Sequence, residues 1–144
     1  PDVSLTTDII VGFPGETESD FQDTMDIVNY AEFDSIYMFK FSPRPGTVAF
    51  DMDNEYIDNE VISKRFQLLK DTQTDISERK LNRFVGTEQI LLIEKISKKN
   101  DQVYSGRINS GQITHVDKNN LHWGDRVKVK ITDSTTFFLK AKQI

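Results

Sequence analysis

At Gly86 the chain changes its repeat, and that break limits the folds open to it more than any other feature. From about residue 58 to 81, Ile62, Phe66, Leu69, Gln73 and Ile76 recur at spacings of four and three, the period of a helix packed along one side. Between Gly86 and Ile144 the sequence instead has five short runs of strand character, at 88–96, 103–108, 112–116, 126–132 and 136–141. Polar turn clusters separate them: Lys98-Lys-Asn-Asp101, Asn109-Ser-Gly111, Lys118-Asn-Asn120 and Gly124-Asp125. Five strands joined by such short turns read as a small antiparallel barrel of OB-like type. Within it Val127, Val129 and Ile131 alternate with Lys128 and Lys130, so one face of that strand is buried and the other cationic. A chain of 144 residues supports one ordinary domain or two small ones, and the expected division is 1–84 and 85–144.

The first part opens on a strand at 5–11, where β-branched Thr6, Thr7, Ile9, Ile10 and Val11 run into Gly12. Gly12-Phe-Pro-Gly-Glu16 is a turn, and Thr17-Glu-Ser-Asp20 is a helix start in which Thr17 caps and Asp20 answers three residues on. Phe21, Met25 and Val28 then keep one apolar face, and a second apolar run at 36–41 stops at Ser42-Pro43. Strand, helix and strand with short connections predict a βαβ unit with parallel strands and a right-handed crossover. The fold class is therefore α/β followed by all-β.

The net charge of −5 divides unevenly. Residues 1–84 hold 8 Lys/Arg against 17 Asp/Glu, whereas residues 85–144 hold 10 against 6. An acidic first part is a poor nucleic-acid surface; a basic second part can bind phosphates. The absence of cysteine excludes disulfides, thiol catalysis, thiolate zinc sites and an iron–sulfur cluster held by this chain alone. With two histidines, no metal site is expected. No run of about 18 apolar residues is present to span a membrane, and the apolar stretch at 8–14 is too short for a signal peptide, so a cytoplasmic protein is expected.

Four features can carry function. The Gly12–Glu16 turn joins the C-terminal end of a parallel strand to a helix, where amides can hold a carboxylate or phosphate, or simply make a tight turn. Asp8 is a carboxylate in an apolar strand, which calls for a buried cation or a polar site. Ser42-Pro-Arg-Pro-Gly-Thr47 presents Arg44 on a stiffened loop, suited to an anion or solvated. Trp123 is either a core anchor or a stacking face.

Thr7-Asp-Ile-Ile-Val-Gly-Phe-Pro-Gly-Glu-Thr17, Phe33-Asp34 and Met38-Phe-Lys-Phe-Ser-Pro-Arg-Pro-Gly-Thr47 closely resemble the late barrel strands of radical S-adenosylmethionine methylthiotransferases. The wording around Arg44 and Pro45 is closer to the tRNA-modifying, MiaB-like branch than to the branch that modifies a ribosomal protein. Ser105-Gly-Arg107 and Trp123-Gly-Asp-Arg-Val-Lys-Val-Lys-Ile-Thr132 resemble the TRAM module that ends those enzymes, although Ile108 stands where the family has Thr. The resemblance implies a C-terminal piece: the end of a radical-SAM β/α barrel over 1–84, then a TRAM domain over 85–144. It implies a parent that methylthiolates N6-isopentenyladenosine in the tRNA anticodon stem-loop, using S-adenosylmethionine and two 4Fe-4S clusters bound by N-terminal domains outside this chain. The chain alone is then inactive, with no catalytic or metal residue of its own. Asp8, Gly12, Phe13, Pro14, Gly15 and Glu16 fall on the cofactor side, and Ser42 and Arg44 on the substrate side. Lys98, Lys99, Arg107, Trp123, Arg126, Lys128 and Lys130 are the expected RNA contacts. The alternatives are a non-catalytic RNA- or protein-binding module and a methylthiotransferase acting on a ribosomal protein.

Overall fold

The computed structural model describes residues 3–97 and 100–144. They form β1 (Thr6–Val11), α1 (Glu18–Ala31), β2 (Ser35–Lys40), two short 3-10 turns (Val48–Phe50 and Asp53–Glu55) and α2 (Asn59–Asn82). Then come β3 (Glu88–Ser97), β4 (Asn100–Ile108), β5 (Ile113–Asp117), β6 (Arg126–Ser134) and β7 (Leu139–Gln143). Contacts divide the chain into two compact units, Leu5–Ile76 and one built on Ser77–Ile144, with the division inside α2.

In the first unit, β1 and β2 pair in parallel with Asp8 opposite Tyr37 and Ile10 opposite Phe39. Alternation sends Ile9, Val11, Ile36 and Met38 to one face, where Phe21, Met25 and Val28 of α1 and Leu69 and Ile76 of α2 pack on them. Thr17 caps α1 with the expected capping box: its hydroxyl accepts from the Asp20 amide and the Asp20 carboxylate accepts from the Thr17 amide. The α2 stripe buries Ile62, Arg65, Leu69, Gln73 and Ile76, with Phe66 only half-buried. Gln73 does not interrupt it, because its Nε2 donates to the Phe33 carbonyl at 2.8 Å. The opposite face of the sheet is bare: Ile10, Tyr37 and Phe39 are 52%, 63% and 51% exposed. Gly12 has φ +79, and a Cβ there would lie 2.4 Å from Ile62, so both backbone and packing require glycine.

The second unit is a closed five-stranded barrel in the order β3-β4-β5-β7-β6. Its interior is Leu91, Ile93, Tyr104, Ile108, Val116, Val129, Ile131, Leu139 and Ala141, with Phe84 and Leu121 in the same cluster. The expected all-antiparallel sheet needs correction, since β5 and β7 pair in parallel while the other four pairings are antiparallel. The cause is parity: strand directions that alternate cannot close a ring of five, so one pair must run the same way. The last strand also begins later than expected. Thr135 folds 135–138 into a turn, its hydroxyl accepting from the amides of Phe137 and Phe138, and so takes Thr136, Phe137 and Phe138 out of the strand. No described helix is long and apolar enough to cross a membrane.

Candidate nucleic-acid interface and the loop end of the parallel strands

The barrel register assembles three rows across the outer face of β6, β3 and β4. Leu92 of β3 pairs with both Arg126 of β6 and Arg107 of β4, and Arg107 in turn pairs with Ile113 of β5. The next row sets Ile90 opposite Lys128, and the third sets Lys130 between Glu88 and Lys142. All of these side chains are exposed. Four of the expected RNA contacts, Arg107, Arg126, Lys128 and Lys130, thus share one surface of alternating cations and aliphatics. Lys98 and Lys99 lie outside the described residues.

The cations differ in how free they are. Lys128 Nζ lies 2.6 Å from Glu88, Arg107 lies 2.9 Å from Glu94, and Lys140 lies 2.8 Å from Asp133. The hydrogen bond from Lys128, and then its charge, hold the Glu88 carboxyl below the ordinary carboxylate range. The hydrogen bond from Lys140, then that from the Ser134 amide and then the Lys140 charge lower the Asp133 carboxyl likewise. Arg126, Lys130 and Lys142 have no ion pair among the described residues. Lys130 faces Lys142 directly across the β6–β7 pairing, and like charges so placed repel. Trp123, at the loop before β6, is 80% exposed, so the core-anchor alternative is corrected.

In the first unit, the amides of the Gly12–Glu16 turn are occupied from within. Gly12 N–H donates to Glu16 Oε2 at 2.9 Å, and Gly15 N–H donates to the Glu55 carbonyl at 2.9 Å. Of the two readings, a ligand cradle and a tight turn, these bonds favour the tight turn, in which Glu16 fills the place of a ligand carboxylate. Pro14 is buried and Phe13 exposed. Among the described residues Asp8 meets no buried cation: it is exposed on the bare face beside Ile10, Tyr37 and Phe39. Phe13 packs edge-on against Phe41, and Phe41 against Tyr56, at centroid distances of 5.4 and 5.8 Å. Burial, and then Asp53 and Asp51, push the Tyr56 phenol up. Ser42 and Arg44 are exposed, and the Arg44 carbonyl accepts from the Thr47 hydroxyl at 2.8 Å, fixing the loop.

The residue missed in the sequence is Arg65. Its Nη1 donates to Glu16 Oε2 at 2.7 Å and to the Glu16 carbonyl at 3.1 Å, and its Nη2 to Glu18 at 3.0 Å. The guanidinium also lies 5.4 Å from the Phe21 ring centroid. Its signal was spacing: Arg65 stands three residues after Ile62 and four before Leu69, inside the stripe.

Comparison with known proteins bears on both units. The family model of the TRAM domain matches residues 82–144. The chain is 44% identical over 98% of its length to a tRNA-2-methylthio-N(6)-dimethylallyladenosine synthase of Corynebacterium jeikeium, covering 28% of that protein. It is 41% identical over 97% of its length to the synthase of the same name from Acetivibrio thermocellus, and 40% over 100% to that of Christiangramia forsetii. It covers 29% and 30% of these. The chain thus spans under a third of its relatives' length, and it is similar to their C-terminal region, as the motifs implied.

The five-stranded barrel also carries a testable pH dependence. The His115 imidazole stacks on Phe138 at 4.4 Å, and burial, then the nearby Lys95 charge, push its pKa below the ordinary histidine value. The unfolded chain then takes up the proton first, so the contribution is complete above the unfolded value of about 6.5 and is lost as pH falls through the lower, folded value. His115→Phe, which keeps a stacking ring, is expected to flatten the loss of barrel stability between neutral and mildly acidic pH in urea titrations. An unchanged slope contradicts this account.

Proposed function

We propose that this chain is part of an enzyme that adds a methylthio group to N6-dimethylallyladenosine in the anticodon loop of tRNA, and that its TRAM domain grips the RNA backbone. The observation that carries the RNA assignment is the Lys130–Lys142 pair. Two ammonium groups without an ion pair among the described residues stand opposite each other, with Glu88 attracting Lys130 from across β3, and a polyanion that bridges both offsets their mutual repulsion. Arg126 extends the surface, Arg107 and Lys128 join it by exchanging their carboxylates for phosphates, and Trp123 supplies a face on which a base stacks. Lys98 and Lys99 belong to the same proposed set.

Residues 1–84 are proposed as a section of the radical-SAM β/α barrel. Parallel sheets are ordinarily covered on both faces, and here the helices pack on one only. The bare face, with Asp8, Ile10, Tyr37 and Phe39, takes the place of the barrel lumen, and Ser42 and Arg44 sit at its substrate end. S-adenosylmethionine and two 4Fe-4S clusters serve the whole enzyme. Clusters of that kind are held by thiolates, and a chain without cysteine supplies none, so their ligands lie outside it. The Gly12–Glu16 turn does not fit an anion cradle, because Glu16 and Glu55 already take its amides. Its part is to shape the cofactor end, together with Phe13, Pro14 and Gly15.

The test is the salt dependence of binding between this chain and an anticodon stem-loop. Lys130→Ala with Lys142→Ala is expected to flatten the logarithmic salt slope by about 1.4 to 1.8, two phosphate contacts. The same change is expected to alter stability by less than about 0.5 kcal/mol, since it removes the Lys130–Lys142 repulsion together with the Glu88–Lys130 attraction. Lys128→Ala is expected to act less, because Glu88 competes for that ammonium. An unaltered slope, or no binding at low salt, makes the face an ordinary solvated surface.

A further inference from the structure

We propose that a polar pocket at the β4–β5 end of the TRAM barrel takes one unpaired nucleobase; this rests on the RNA assignment above but concerns a different surface. The turn after β5 folds back on the barrel: the Lys118 amide donates to the Gln102 carbonyl at 2.9 Å and the Leu121 amide to the Lys118 carbonyl at 3.0 Å. Asn120 adopts φ +52, a left-handed conformation that asparagine accepts at low cost, and this lets Leu121 enter the core. The resulting cavity is about 590 Å³, within the range of small-molecule sites. Tyr104 and Leu121 supply buried apolar surface to its lining, and Gln102, Asn119 and Asn120 are its exposed amide side chains.

Chemistry distinguishes this pocket from the lysine face. The side-chain amides of Asn119 and Asn120 make no hydrogen bond among the described residues, so both donors and acceptors are free. Each amide sets a donor beside an acceptor in one plane, the pattern that matches the edge of an unpaired base, while Tyr104 and Leu121 suit its apolar ring. Phosphate is not favoured: the one cation, Lys118, sits 5.7 Å over the Tyr104 ring, and Asp117 in the same lining offsets its charge. The pocket is therefore a base-reading site, and the Lys130–Lys142 face a backbone-gripping one.

The experiment is a nuclear magnetic resonance titration of the full chain, first with adenosine, guanosine, cytidine and uridine in turn, then with a single-stranded RNA. Uncharged nucleosides probe the pocket without engaging the cationic face. At least one of them is expected to shift the side-chain amide signals of Gln102, Asn119 and Asn120, equally at low and high salt. Asn119→Ala, at an exposed position, is expected to weaken that nucleoside about threefold, the loss of one hydrogen bond, while the salt slope for RNA stays as it was; Gln102 is the weaker probe because its Nε2 already donates to Asp101 Oδ1 at 3.2 Å. If no nucleoside moves these signals, or if they move those of Trp123 instead, the pocket is not a base site. Failure of the RNA assignment reads differently: RNA leaves the amides of 126–130 unmoved at low salt even where a nucleoside shifts the pocket.

Discussion

Arg65→Met is expected to lower the stability of the first unit by about 3 kcal/mol or more, the usual cost of removing one member of a buried ion pair. The Arg65 and Glu16 side chains are only 8% and 12% exposed, and methionine fills similar space while leaving the Glu16 carboxylate without its cation. Burial pulls the Arg65 pKa down, but the hydrogen bonds and charges of Glu18 and Glu16 outweigh it and hold the guanidinium above its ordinary value. Glu18 is 80% exposed, so water screens its share and Glu16 is the partner that matters. One cost is built in: Arg65 Nε is buried with no hydrogen-bond partner among the described residues. Lysine cannot restore the clamp, because a single ammonium cannot reach the Glu16 carbonyl, the Glu16 carboxylate and Glu18 in the geometry of a planar fork. Glu16→Gln added to Arg65→Met should recover part of the loss by neutralising the stranded acid. Urea unfolding measures the first effect, and exchange of the Gly12 amide, bonded to that same carboxylate, reports its reach into the turn. A change under about 0.5 kcal/mol, the range of ordinary surface substitutions, would show that the clamp is a surface pair after all.

The second large effect is expected in the barrel. Gly106→Ala should cost at least about 3 kcal/mol, and Gly106→Val should prevent the barrel from closing. A Cβ on Gly106 would lie 1.8 Å from the Leu92 carbonyl oxygen and 2.8 Å from its carbon. Both are backbone atoms of the neighbouring strand, so no rotamer change relieves the clash; β3 and β4 must separate. The register places Ile93 opposite Gly106, directly before an irregularity between Ile93 and Lys95, so the two strands approach most closely where β3 bends. Thermal unfolding and amide exchange across β3 and β4 measure the effect. A Gly106→Ala protein with an unchanged midpoint would refute the close approach.

What the sequence determined by itself was local. The Thr17–Asp20 capping box and the buried faces of α1, α2 and β6 follow from which residue types recur at periods of 3.6 and 2, and those periods survive without knowledge of any partner. The motif wording likewise pointed to the similarity with the TRAM domain before any strands were paired. Partners were another matter. The parallel β5–β7 contact comes from closing a ring of five strands, a property of the whole ring and of none of its members. Asp8 and Arg65 show the same division at the level of single side chains. A charge in an apolar pattern had to be paired or exposed, but only packing decided that Asp8 stands on a bare face while Arg65 is buried on Glu16. Lys128 and Lys130 look equivalent two residues apart on one strand. Tertiary structure gives the first an ion pair with Glu88 and sets the second between Glu88 and Lys142, because what faces a side chain across a sheet is chosen by register with residues far away in the chain.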